Sequence, residues 1–492
     1  MFIDELKAAT NYKLTENGGV SRKSTLNDVY DMFAFGGAYR TRSDADCILL
    51  FKNAFEQDPT LAMKCLFYLA DCRGGQGERR FFRVCFHWLA ECYPEVAKLN
   101  IPNIPIYRRW DDVLYSTINT PIWEDAMAFI KSQLVLDMQC KTPSLLAKWL
   151  PSENASSNET RAMGGAVRVY LNMTHKEYRK TLSELRSRIN ILEKLMSENR
   201  WDEIEFDKIP SRAGLIYKNA FAKHDINKRY EEFAADKSTK VNAGVLYPYE
   251  VVAKATESMN WRGLCNLSET DRLMLEKYWD NLPDYFGGKE SNILCVVDTS
   301  GSMTGSQASA PINVAISLGM YCAERAGGPF KDHYISFSRY PQLIRVQGVD
   351  FVNKVARIYE TNLCENTDLT KVFDLLLDIA SSSREAARSL PETICVISDM
   401  EIDHMSYWDN KDEVATEMER MRLKWQRHGL KMPKLIYWNV EARSNNILDQ
   451  NENVSYVSGM SPTLFESVLT GKTGWDLCLE KLLSDRYVDV VA

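Results

Sequence analysis

The apolar run Ile293-Leu294-Cys295-Val296-Val297 passes directly into Asp298-Thr299-Ser300-Gly301-Ser302, and this join constrains the fold more than any other stretch of the chain. A short uninterrupted run of β-branched and aliphatic residues is the pattern of a strand buried on both faces, as in a parallel sheet covered by helices. The residues behind it place a carboxylate and two hydroxyls on one tight loop, which Gly301 allows to turn. Hard oxygen donors at alternate positions suit a small divalent cation such as Mg2+, which keeps several of its waters. A plain Asx turn can share this composition, so the reading depends on what else reaches the loop.

Two further segments match it. Asn366-Thr367-Asp368 opens the helical pattern Leu369, Val372, Phe373, Leu376, and Thr393-Ile394-Cys395-Val396-Ile397-Ser398 runs into Asp399. Strand-like runs are expected at 293–298, 333–337, 342–346, 393–398 and 435–440, with helices over 311–326, 367–380 and 414–428 between them. Such alternation predicts β-α-β units with right-handed crossovers and a doubly wound parallel sheet. Loops at the carboxyl ends of such strands converge where the strand order reverses, so Asp298, Ser300, Ser302, Thr367 and Asp399 are the candidate metal ligands. The D-x-S-x-S arrangement resembles the metal-ion-dependent adhesion site of von Willebrand A domains. That resemblance implies a Rossmann-like von Willebrand A domain over residues 289–492. One departure from the family is Met400-Glu401-Ile402-Asp403 after the last strand, where many members have glycine. Glu401 and Asp403 either add ligands or lie in solvent.

Residues 1–288 read as helical. Apolar faces at helical spacing recur over 61–70, 81–90, 123–136, 176–196 and 270–279, with short connections and almost no strand-like alternation. This suggests a HEAT-like α-solenoid, with closure into a ring left open. Three segments stand out within it. Arg73-Gly74-Gly75-Gln76-Gly77-Glu78-Arg79-Arg80 is a glycine-rich bend between arginines that could approach a phosphate, although it lacks the strand and Gly-Lys-Ser/Thr ending of a P-loop. Tyr107-Arg108-Arg109-Trp110-Asp111-Asp112 reads first as a structural salt-bridge knot. Lys148-Trp149-Leu150-Pro151-Ser152-Glu153-Asn154 ends a helix at a proline.

Charge separates the two halves. Residues 1–290 carry 40 Lys+Arg and 40 Asp+Glu, so the whole net charge of −7 falls in the α/β half. A neutral helical half is not a wholesale nucleic-acid glove, but its cations cluster. Arg161, Arg168, Lys176, Arg179, Lys180, Arg186 and Arg188 face only Glu177 and Glu184. Arg212, Lys218, Lys223, Lys228 and Arg229 face only Asp225, with Tyr170, Tyr178, Tyr217 and Tyr230 interleaved. Cations with nearby rings suit single-stranded RNA, and a solvated helix face has the same pattern. Together with Arg73, Arg79 and Arg80, the residues from Arg161 to Arg188 and Arg212 and Lys218 are the candidate RNA contacts.

An apolar fraction of 45% and a charged fraction of 26% are ordinary for a globular protein. No run is long enough to span a membrane, and Asp4 and Glu5 stand where a secretory leader would be basic then apolar, so a cytoplasmic location is expected. Twelve cysteines without a C-x-x-C pair fit a reducing compartment, and six histidines without H-E-x-x-H argue against a zinc enzyme.

The combination of Asp71-Cys72-Arg73-Gly74-Gly75-Gln76-Gly77-Glu78-Arg79, Trp110-Asp111-Asp112, Ala147-Lys148-Trp149-Leu150-Pro151-Ser152-Glu153-Asn154 and Asp298-Thr299-Ser300-Gly301-Ser302 resembles a family that pairs a TROVE-like helical region with a von Willebrand A domain. The resemblance runs from about Leu14 to Leu483. More distantly the chain is similar to the Ro RNA-binding autoantigen family, in which a helical ring is closed by a von Willebrand A domain. The resemblance implies this architecture, and RNA binding by fold-level analogy. The expectation is a non-catalytic ribonucleoprotein component with a Mg2+-bearing domain and a single-stranded or small structured RNA partner. The alternative is a metal-dependent protein-interaction or assembly module, for example in a virion, whose partner donates a carboxylate to the ion. No positioned nucleophile or base accompanies the two aspartates, so no enzyme is expected.

Overall fold

The computed structural model describes residues 2–189, 191–225, 227–257, 266–305, 310–337, 340–361, 368–403, 415–468 and 472–492. Helices fill the first part of the chain and a six-stranded, mostly parallel sheet with its helices fills the last, an α plus α/β architecture.

Local sequence sets most helix starts. Ser43 accepts a hydrogen bond from Asp46 N and opens Asp44–Gln57, while Asp58 accepts from Leu61 N and opens Pro59–Ala70, with proline in the first turn. Ser268 does the same for Glu269–Asp280, and Thr416 and Glu419 form a reciprocal capping box at Glu417–Arg427. The pattern expected as one helix over 176–196 is two, His175–Ile189 and Leu192–Ser197. Ile191 is extended, with ψ 142°, and the Ile189-Asn190-Ile191 sequence has low helix propensity. The helical half also contains a short antiparallel hairpin, β1 (Tyr12–Leu14) with β2 (Val20–Arg22), that periodicity did not predict. Three residues per strand are too few to establish an alternation.

The sheet comprises β3 (Ile293–Asp298), β4 (His333–Phe337), β5 (Leu343–Arg345), β6 (Thr393–Ser398), β7 (Lys434–Asn439) and β8 (Val454–Ser458), in the order β5-β4-β3-β6-β7-β8. Only β5, at the edge, is antiparallel. The strand expected at 435–440 begins and ends one residue earlier. β8 was not anticipated, because Ser455 and Ser458 interrupt its apolar character; both serines are buried. The helix Pro311–Arg325 packs on β3, β4 and β6. Gly319 permits the close approach, since a Cβ there would stand 2.4 Å from Val297 Cγ2.

The order reverses between β3 and β6, so the loops after these strands flank the switch point of the sheet. Both ends of the helical region rest on the α/β half. Near its start, Tyr456 N donates to Tyr30 OH at 2.8 Å, Gly37 N to Ser458 Oγ at 2.9 Å and Asn100 Nδ2 to Val491 O at 2.8 Å. Near its end, Trp279 Nε1 donates to Glu324 Oε2 at 2.6 Å and Arg272 pairs with Asp350. Among the described residues no helix is long and apolar enough to cross a membrane.

Candidate functional site

Asp298 is the last residue of β3 and is fully buried. One of its carboxylate oxygens accepts from Ser300 N at 2.9 Å and the other from Ser398 Oγ at 2.5 Å, which ties the ends of β3 and β6 together. Asp399, the first residue after β6, is 1% exposed. Burial, and then the neighbouring Asp399 carboxylate, push the Asp298 pKa up to about 7. Asp399 is also raised by burial, against the opposing pull of Arg443. The Ser302 hydroxyl, which is exposed, favours the charged form of Asp399. Ser300 Oγ and Ser302 Oγ lie 3.0 Å apart. Asp298, Ser300, Ser302 and Asp399 are thus gathered at the switch point, whereas Thr367 lies outside the described residues.

The donor set suits a hard cation. Ser300 Oγ and Ser302 Oγ, hydrogen-bonded to each other at 3.0 Å, would offer two hydroxyl oxygens to such a cation. Two buried carboxylates held next to each other need compensating positive charge. Among the described residues no group of three or more His, Cys, Asp and Glu side chains could hold an ion; this constellation has two carboxylates and relies on hydroxyls for the rest.

Sequence reasoning missed Arg443. Its Nη2 is 2.7 Å from Asp399 Oδ2 and its Nη1 2.8 Å from Glu16 Oε2, while its Nε is buried without a hydrogen-bond partner. It sits in the loop after β7, and the rule that loops after parallel strands converge was the signal that could have found it. The open question about Glu401 is resolved by its contacts. Its buried carboxylate accepts from Glu16 N at 2.7 Å and from Ser444 Oγ at 2.7 Å, and Thr15 Oγ1 donates to Ile402 O at 2.7 Å. Asp403 bridges to Gly18 along the backbone. The segment after Asp399 therefore anchors the β1–β2 turn beside the site. Met400 takes a left-handed φ of 63° to make that turn.

The basic residues divide into two groups. Arg186 donates to Ala147 O, Leu150 O and Ser152 Oγ, Arg168 pairs with Glu153, and Arg188 binds Met138 O, Cys140 O and Glu184. Arg212 pairs with Glu250, Lys218 with Asp271, Arg80 with Asp44, and Arg79 with Asp111 and Asp112. Arg161 binds Ala155 O and Ser156 O, and Arg73 reaches Ile106 O at 3.4 Å. Lys176, Arg179 and Lys180, by contrast, project into solvent at i, i+3, i+4 spacing on His175–Ile189, with no ion pair among the described residues. Arg186 and Arg179 line a cavity of about 500 Å³ with Ser152, Tyr178 and Glu193.

The glycine-rich bend does not present itself to a phosphate. Gln76 Oε1 accepts from Ser461 N at 3.2 Å, Asp71 accepts from Arg486 and Tyr487, and Glu78 pairs with Arg40. The bonds of Gln76 and Asp71 dock the helical half on the α/β half and on the final turn of the chain, and the Glu78–Arg40 pair holds the bend within the helical half. Close packing of Gly75 on Tyr68 O explains why the motif contains glycine there.

A family described as Domain of unknown function (DUF7788) matches residues 292–481. Uncharacterized protein L728 of Acanthamoeba polyphaga mimivirus is 27% identical over 510 aligned positions, covering 94% of this chain and 85% of the viral protein. Among solved structures, the Ro (RSR) protein of Deinococcus radiodurans is similar at a TM-score of 0.49 and 14% identity, over 90% of this chain and 99% of that one. The profile described as Domain of unknown function (DUF2828) matches residues 15–135 and 135–285, more than half of the sequence, and the chain belongs to that family.

Proposed function

We propose that the protein is a non-catalytic RNA-binding component whose α/β half carries a Mg2+ ion held by Asp298, Ser300, Ser302, Thr367 and Asp399. The observation that carries the RNA reading is the solvent-exposed ridge of Lys176, Arg179 and Lys180, which has no ion pair among the described residues and spends on the protein only the bond from Arg179 Nε to His175 O at 3.2 Å. The resemblance to the Ro family, drawn from the motifs above, points the same way by analogy, and includes the solenoid ring. When bound, the ion supplies the positive charge that the two buried aspartates lack. The residues orient and dehydrate that position: Ser398 and the Ser300 amide aim Asp298, and Arg443 holds Asp399.

The test is RNA binding to the full chain as a function of salt. Three phosphate contacts predict a slope of log affinity against log salt of about −2 for a single strand. Reversing Lys176, Arg179 and Lys180 to glutamate should abolish binding while leaving Mg2+ binding intact; unaltered affinity rejects this reading.

One observation favours a second reading, metal-dependent capture of a protein. Ser302 is exposed although both carboxylates are buried, so an ion there would be open to a ligand from outside. That reading predicts a partner lost both on chelation and in Asp298→Ala.

A further inference from the structure

We infer that the arginine knot on Asp111 and Asp112 is an oxyanion site that takes a phosphate of the RNA backbone, a second contact distinct from the ridge. The inference rests on the RNA-binding reading above, and its own evidence is charge and geometry. Asp112 is fully buried and accepts from Nε of Arg79 at 3.0 Å, of Arg83 at 2.6 Å and of Arg108 at 3.2 Å. Asp111 Oδ2 accepts from Nη2 of Arg79, and from those of Arg83 and Arg109 at 3.3 Å each. Four guanidiniums thus share two carboxylates. A knot that served only to hold helices together would be expected to balance its charges, because an excess of like charges in a half-dry setting repels.

The surplus is available to a ligand. Arg108 is 5% exposed and donates from Nη1 to Ala70 O and Gly77 O. Arg79, Arg83 and Arg109 are 36%, 23% and 31% exposed, and the Nη1 group of each has no protein partner among the described residues. All three place Nη2 on the same oxygen, so their free Nη1 groups lie within about 6 Å of it, a spacing that the planar fork imposes. Arg109 Nε is buried and faces Asp111 Oδ1 at 3.2 Å as an ion pair without hydrogen-bond geometry.

The knot is also rigid before any ligand arrives. The Arg109 guanidinium lies over the Trp149 ring at 4.2 Å and the Lys148 ammonium over the same ring at 5.7 Å, while Arg83 lies over Tyr115 at 4.2 Å. Lys148 has no ion pair among the described residues and adds an ammonium to the cluster. Three unpartnered Nη1 groups and an ammonium on one cluster offer charge-assisted donors to an oxyanion, and guanidinium groups held in advance lose little freedom on binding it.

The experiment measures binding of a labelled single-stranded oligouridine to the full chain over a salt series, with the Arg109→Gln/Lys148→Gln variant, Lys148→Gln alone, and the charge-keeping Arg109→Lys. Circular dichroism checks each fold; the Lys148 ammonium has no ion pair among the described residues, so its single variant keeps the test alive if the double variant unfolds. The expected result is at least a tenfold loss for the double variant at 0.1 M salt, a salt slope shallower by about 1 to 2, and partial rescue by Arg109→Lys. If the oligonucleotide binds and only the ridge variant weakens it, the knot is structural and the inference is overturned, while the RNA reading survives. If the wild type binds no RNA, that reading fails, and inorganic phosphate decides the knot. Thermal stabilisation by phosphate beyond that of chloride at equal ionic strength, lost in Lys148→Gln, assigns the site to free phosphate rather than a strand. Equal responses overturn it.

Discussion

Arg443 and Asp399 meet across 2.7 Å at the switch point of the sheet, 44 positions apart in the chain. The guanidinium supplies part of the positive charge that a cation would otherwise provide. Replacing Arg443 with alanine should destabilise the metal-free protein by about 3 kcal/mol or more, because a buried carboxylate loses its partner. Mg2+ should then raise the unfolding temperature more in the variant than in the wild type. Equal Mg2+ shifts in the two proteins would show that guanidinium and ion do not compensate the same charge.

Asp298→Asn tests the ion directly. The neutral side chain removes the repulsion between Asp298 and Asp399, so in EDTA at pH 8 the variant should unfold at a higher temperature than the wild type. Saturating Mg2+, at 100 times its dissociation constant, should stabilise only the wild type, by about 2.7 kcal/mol. Calorimetric titration with Mg2+ measures the same loss, and retained binding in the variant would reject Asp298 as a ligand.

Asp31 provides a pH signature away from the site. Burial pushes its carboxyl up to about 6, despite the hydrogen bond it accepts from Thr25 N at 2.8 Å. The folded protein therefore holds this proton above the unfolded value near 4, and its contribution to stability is lost as pH rises from about 4 through about 6. Asp31→Asn should flatten that segment of the stability profile and gain about 1–3 kcal/mol at pH 7. Denaturant midpoints at pH 4 and pH 7 for both proteins give the difference; parallel profiles would contradict it.

Two glycines make a matched pair. A Cβ on Gly75 would lie 1.8 Å from the Tyr68 carbonyl oxygen, whereas one on Gly165, within the helix Asn158–Tyr170, meets nothing within 4 Å. Gly75→Ala should cost about 3 kcal/mol or more by displacing the docking bend. Gly165→Ala should instead stabilise by about 0.5–1 kcal/mol. Thermal unfolding of the two variants measures both.

Much of the candidate site was legible because it is local chemistry at strand ends. Asp298 and Asp399 each follow a run of apolar residues, and such runs make strands wherever they are buried, so the position of each carboxylate was determined by its own neighbours. The fate of the arginines was not legible. Arg186 looks like Arg179 in sequence, yet its three bonds reach residues 34 to 39 positions earlier, while Arg179 remains in solvent.

By itself the sequence determined most of the helices and the buried strands, the first hairpin and β8 excepted, because caps, apolar periodicity and turn residues act over a few positions. It likewise determined which oxygens stand at the sheet's carboxyl edge. Only the tertiary structure decided that Arg443 reaches Asp399, that Glu401 holds the first hairpin, and that the glycine-rich bend docks the two halves. Those partners are separated by tens to hundreds of residues, and a charge chooses its partner by distance through space and by exclusion of water, neither of which is written in any local pattern.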